Sequence, residues 1–64
     1  MKNCLYLLNN GDLLQGKVLH DWEDCIYLSN VVIYRQNGAY SIEKRSCYIL
    51  SKKKLAKDVN LTDN

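Results

Sequence analysis

The sequence contains no proline and no phenylalanine, only three glycines and a single histidine. Without proline, every backbone N–H stays able to donate into a β-ladder. No apolar run approaches the roughly 18 residues that a membrane-spanning helix needs. Cys4, Cys25 and Cys47 are odd in number and widely spaced, and His20 is the only imidazole. No two cysteines stand at the short spacing of a zinc knuckle, so they are expected to be free thiols that pack as small buried hydrophobes. A phosphate-cradling glycine loop is also missing. His20 adjoins Asp21, but neighbours along a strand point to opposite faces and need not pair. Asp21, Glu23 and Asp24 lack the ligand–glycine–Glu order of a calcium loop and read as a solvated acidic turn. The expectation is a non-enzyme with no catalytic residues, no metal and no cofactor.

Met1-Lys2-Asn3-Cys4 leads into a strand-like segment rather than a secretory signal. With free thiols this predicts a reducing, cytoplasmic setting and no membrane association. Sixty-four residues make one domain. A chain of this size buries only about 60% of its unfolded surface, so oligomerisation is the expected source of extra stability. The net charge of +2 is unevenly placed. Residues 1–30 carry two cations against four carboxylates, and residues 31–64 carry seven against three. A basic half of this kind can form a patch that attracts phosphate.

Apolar and β-branched density predicts strands over Asn3–Leu8, Asp12–His20 and Cys25–Arg35. Asn10-Gly11 between the first two is a tight-hairpin signal, because both residue types tolerate positive φ. Gly16 inside the second strand predicts a sharp bend or close backbone approach. Ser29-Asn30 interrupts the third strand and predicts a bulge. Asn37-Gly38 is a second hairpin signal, leading into a strand over Ala39–Lys44. Lys44-Arg45-Ser46 reads as a turn, and Cys47–Leu50 as the fifth strand. Ser51 can cap a short helix with Leu55 and Val59 on one face, although three lysines in its first turn oppose the helix dipole. Asn60–Asn64 is expected to be disordered. The fold class is therefore all-β, a small five-stranded, strongly bent antiparallel barrel over residues 1–50, with residues 51–64 as a basic tail.

These residues resemble the Sm-like (LSm/Hfq) family. Leu7, Asn10-Gly11, Gly16, Val18, Asp21, Ile26 and Leu28 follow the order of the family's first motif, and Arg45-Ser46 with Ile49 is similar to its second. The resemblance covers about residues 5–50 and is closest to the short phage and metagenomic members that lack a leading helix. It implies an SH3-like barrel, a homo-oligomeric ring, and a pore-side pocket for single-stranded RNA. In that pocket the family places an Asn that reads the base and an Arg that braces it. Here Cys25 stands at the Asn position, Asp24 at the preceding Met and Ser46 at the Gly. A thiol cannot offer the paired donor and acceptor of an amide.

The leading expectation is a ring that binds single-stranded nucleic acid, RNA before DNA, with weak base selectivity. Arg45 and Lys44 would contact phosphate beside Ser46 and Cys25, while Trp22 or Tyr27 would offer a stacking surface. For Trp22 the competing role is an apolar plug at the barrel end or subunit interface. Two other functions remain open. One is a small viral-type interaction or inhibitor module holding a protein partner through Tyr6, Tyr34, Tyr40 and Tyr48. The other is a ring that captures a small nucleotide.

Overall fold

The computed structural model describes residues 2–36 and 41–62, with side chains described through Ala56. Five strands follow in order: β1 (Asn3–Leu8), β2 (Leu13–Asp21), β3 (Cys25–Arg35), β4 (Ser41–Ser51) and β5 (Leu55–Thr62). A one-turn 3-10 helix, Lys52–Lys54, separates the last two. All pairings are antiparallel, and the sheet runs β4-β3-β2-β1-β5. Among the described residues, β4 pairs only with β3 and β5 only with β1, so no ladder joins the two outer strands.

The β1–β2 connection differs from the expected two-residue turn. Gly11 N–H donates to Leu8 C=O at 3.0 Å, and Leu8 N–H donates to Asp12 C=O at 2.8 Å. That pattern is a three-residue loop over Asn9–Gly11 ending in a glycine bulge. Gly11 alone takes positive φ, +94°, whereas a two-residue primed turn needs it at both central positions. Asn10 instead accepts the Asp12 N–H through its side-chain oxygen at 3.0 Å. The second hairpin signal, Asn37-Gly38, lies outside the described residues.

Gly16 is buried opposite Cys4, where an added Cβ would stand 3.1 Å from Val31 Cγ2 and 3.3 Å from Leu28 Cβ. The absent side chain is what lets β3 approach this closely. Two register shifts follow between β2 and β3. In the first, Gln15 and Lys17 oppose Val32 and Ser29, so β3 carries the extra residue. In the second, Val18 and His20 oppose Leu28 and Tyr27, so β2 carries it. The first shift coincides with Asn30, whose φ of +51° is the only positive value at a non-glycine among the described residues. Asn tolerates this region better than other side chains. The expected bulge at Ser29-Asn30 is therefore present. It also inverts the alternation. Ile26 and Leu28 face the core before it, and Val31 and Ile33 after it.

Two expectations fail beyond β3. Lys44-Arg45-Ser46 is not a turn but the middle of an unbroken eleven-residue strand. β3 pairs with β4 from Arg35↔Ser41 to Cys25↔Ser51, and three residues without Gly, Pro, Asn or Asp supply only the weak turn preference of Ser46 against that ladder. The helix beginning at Ser51 exists but stops after one turn. Ser51 Oγ accepts from Lys53 N–H at 3.4 Å, and Leu55 N–H closes onto Lys52 C=O. Three adjacent lysines at a helix start repel one another and the dipole, and β1 offers Leu55–Thr62 a ladder instead. The stretch expected to be a tail therefore joins the sheet, including Asn60–Thr62 from the segment expected to be disordered.

The core contains Cys4, Tyr6 and Leu8 of β1, Leu14 of β2, Ile26, Leu28, Val31 and Ile33 of β3, and Leu50 of β4. Leu55 of β5 packs against it. Residues near both outer strands thus share one cluster, which a flat sheet cannot arrange. The smallest dimension of the fold is 21 Å, whereas one sheet layer is only about 10 Å thick. The sheet is strongly curled around its own apolar face. Burial, then a hydrogen bond shared with Cys4, pushes the Tyr6 hydroxyl well above the ordinary phenol range.

Candidate functional site

The β2–β3 turn is short because Trp22 N–H donates to Cys25 C=O at 2.9 Å. It is tied to the 3-10 turn at two points. Lys52 N–H donates to Asp24 C=O at 3.0 Å, and Lys52 Nζ pairs with Asp21 Oδ1 at 2.7 Å. The alternation of β2 places His20 and Trp22 two residues apart, and they stack with ring centroids 5.3 Å apart and planes 11° off parallel. Trp22 also stacks on Tyr27, at 6.4 Å and 20°. The indole is nonetheless 46% exposed. In the single chain it leaves aromatic surface open to solvent.

An open hollow of 560 Å³ lies beside this stack, lined by Trp22, Tyr27, Arg45, Cys47, Tyr48 and Ile49. Tyr27 and Ile49 are register partners and so share one face of the sheet. A second hollow, of 380 Å³, contains Lys44, Arg45 and Ser46 with Asn30, Val31 and Val32. Arg45 belongs to both. The structure thus joins Arg45 to Trp22 and Tyr27 on one side and to Lys44 and Ser46 on the other. Cys25 lines neither hollow and sits opposite Ser51. Partial desolvation, then the neighbouring Asp24 carboxylate, pushes its thiol up and keeps it protonated.

Arg45 does not reach the site from a turn, as expected from the sequence. It projects from mid-strand, with its guanidinium 5.9 Å from the centre of the Tyr48 ring, in cation–π range. It also donates to Glu43 Oε2 through Nε and pairs with the same oxygen through Nη2. The other oxygen of Glu43 accepts from Arg35 Nε at 2.9 Å and pairs with Arg35 Nη2 at 2.7 Å. Arg35 continues to the buried Asp12, whose carboxylate lies 3.5 Å from Nη1 and accepts Gln36 N–H at 3.1 Å. A chain of alternating charge therefore runs Asp12–Arg35–Glu43–Arg45 and ends on Tyr48.

Glu43 and Asp12 were not expected at the site. The usable signal was that Glu43 and Arg45 are two apart on one strand and share a face. Placing Arg35 beside them requires the β3–β4 register, which no local pattern states. The turn that meets the β2–β3 loop carries Lys52–Lys54, not Arg45-Ser46.

Hydrogen bonds from Arg35 and then Arg45 hold the Glu43 carboxyl below the ordinary glutamate range. A carboxyl depressed on folding stabilises the fold at pH above that range. The contribution is lost as pH falls through the depressed folded value. The melting temperature is therefore expected to drop on acidification below the usual glutamate range, and Glu43→Gln is expected to flatten part of that drop. Thermal melts of both proteins against pH check this. Superimposable acid limbs would mean that the pair contributes nothing.

Among the described residues no group of three His, Cys, Asp or Glu side chains gathers to hold a metal ion. Cys4, Cys25 and Cys47 are free, but only Cys4 is buried as expected, Cys25 being half-buried and Cys47 exposed on the outer strand β4. Among the described residues no helix is long and apolar enough to cross a membrane. No protein-family model, curated protein or solved structure matches this chain, so its function is read from the aromatic hollow, the charge chain and the two outer strands themselves.

Proposed function

We propose that this protein binds single-stranded nucleic acid, RNA before DNA, as a homo-oligomeric ring of the Sm-like kind. The observation that carries this reading is the convergence of Arg45 with Trp22, Tyr27 and Tyr48 around one open hollow. A guanidinium binds phosphate through charge and a planar fork, and exposed aromatic faces accept any base by stacking. No amide is placed to read a base edge there, which supports weak selectivity. Lys44 on the same strand, and Lys53 and Lys54 beyond it, add exposed positive charge. Assembly follows from the outer strands. In an Sm-like ring β4 of one copy pairs with β5 of the next, which would satisfy both edges.

Fluorescence anisotropy with labelled oligo-U, oligo-A and DNA at two salt concentrations tests the binding. The expected result is affinity that falls steeply with salt and hardly distinguishes U from A. Trp22→Ala is expected to lose about 1–3 kcal/mol if a base stacks there. Arg45→Ala should weaken binding to all sequences alike, and Lys53→Ala with Lys54→Ala tests whether those lysines supply the affinity instead. Light scattering at a mass of 7.4 kDa would remove the ring. Absence of binding to every oligonucleotide at low salt would overturn the reading. It would favour a protein-interaction module, which the exposed Ile42 and Ile49 on the outer strand β4 support.

A further inference from the structure

Glu43 sits between two arginines that differ in what else holds them. Its carboxylate is saturated, one oxygen taking Arg35 and the other Arg45. Arg35 has a second carboxylate in reach, Asp12, itself 6% exposed and fixed by Gln36 N–H and the Asn10 side chain. Arg45 has none among the described residues. Its side chain is 50% exposed, and it borders both hollows. Arg35 is therefore a structural cation locked from two sides. Arg45 is a surface cation whose Nε/Nη2 edge is already taken from within the chain, by one oxygen of Glu43.

We infer that Glu43 is a built-in competitor for phosphate, holding the fork of Arg45 until a nucleic-acid backbone displaces it. This rests on the nucleic-acid reading above and adds what sets the strength of that site. A guanidinium presents the same planar donor pair to a carboxylate as to a phosphate, so the two anions compete for one edge. Displacement is feasible because Glu43 keeps Arg35 as a partner when Arg45 leaves. It is not free, because the phosphate must break an existing pair and approach a like charge. Tyr48, with its ring centre 5.9 Å from the guanidinium carbon, is a further partner of Arg45 that carries no charge for phosphate to displace.

The test is Glu43→Gln, which keeps the shape of the side chain and an acceptor for Arg35 but removes the charge. Anisotropy titrations with labelled oligo-U are run across a salt series for the parent, Glu43→Gln, Arg45→Ala and the double variant. Glu43→Gln is expected to bind about two- to fivefold more tightly, the range of an exposed ion pair. Its log–log salt slope should stay close to the parent's, because Arg45 meets one phosphate in both proteins and only the cost of displacing Glu43 is removed. The gain should vanish in the Arg45→Ala background. Weaker binding by Glu43→Gln would make Glu43 a positioning residue for Arg45 and overturn the inference. So would unchanged binding, or a gain that survives Arg45→Ala.

If the parent binds no oligonucleotide, the functional reading fails. The competitor role then stands only if Glu43→Gln gains binding through Arg45, and falls if both are inert. Should Glu43→Gln fail to fold, the parent decides. On adding oligo-U the Arg45 Nε–H resonance should move while that of Arg35 stays. Movement of both, or of neither, counts against the inference.

Discussion

A chain ended at Lys54 is expected to lose its cooperative melting transition. β5 is the only partner of the outer side of β1 among the described residues, pairing Leu55, Asn60, Leu61 and Thr62 with Leu8, Tyr6, Leu5 and Cys4. Its removal strips that ladder and takes away Leu55, which packs on the core. Tyr6 and Leu8, buried in the complete chain, would then line an open edge. A domain of this length has a total stability of only about 3–10 kcal/mol. Exposing even one or two large core side chains, at about 1.5–3 kcal/mol each, takes most of it. Circular dichroism melts of the full and shortened chains check this. An unchanged melting temperature would mean that residues 55–64 are the dispensable tail their composition suggests.

Gly16→Val is expected to destabilise the fold by about 1–3 kcal/mol, the usual penalty for overfilling a packed site. The first added carbon alone would lie 3.1 Å from Val31 Cγ2 and 3.3 Å from Leu28 Cβ and Cδ2. Both neighbours are almost completely buried, at 1% and 0% exposure, and have little room to yield. Valine then adds two methyl groups to the same space. Gly16→Ala should lose less, since only the first contact arises. Urea denaturation reads both variants as lower midpoints. A valine variant with the parent's midpoint would show that β3 does not need to come so close here.

The legible parts of the fold were those with a local cause. β1 and β3 run over the residues expected, because Asn3–Leu8 and Cys25–Arg35 are dense in apolar, β-branched and aromatic side chains. Gly16 and Asn30 could be located because few residue types fit a crowded strand or a positive φ. β4 was misread as two strands because Lys44-Arg45-Ser46 is locally ambiguous, and its conformation is decided by eleven residues of β3 lying alongside. β5 was missed for a related reason. Lys57-Asp58-Val59-Asn60 is a poor strand sequence, and β5 is joined to β1 on either side of it, by Leu55 and by Asn60–Thr62, across a register shift between Tyr6 and Leu8. The site divides in the same way. Arg45 stands out through the family resemblance and Trp22 and Tyr27 through their rings, whereas the setting of Glu43 between Arg45 and Arg35 depends on a partner from another strand.

Asn30 makes β3 two reading frames in one strand. Before it, even-numbered positions belong to the interior. After it, odd-numbered ones do. A residue inserted or lost between Cys25 and Ser29 would exchange inside and outside only up to the bulge. One inserted or lost beyond it would do so only on the far side. The same small left-handed step also acts as a firebreak in the β2–β3 ladder, confining a slip between those strands to one half, while the β3–β4 ladder passes Asn30 without a shift.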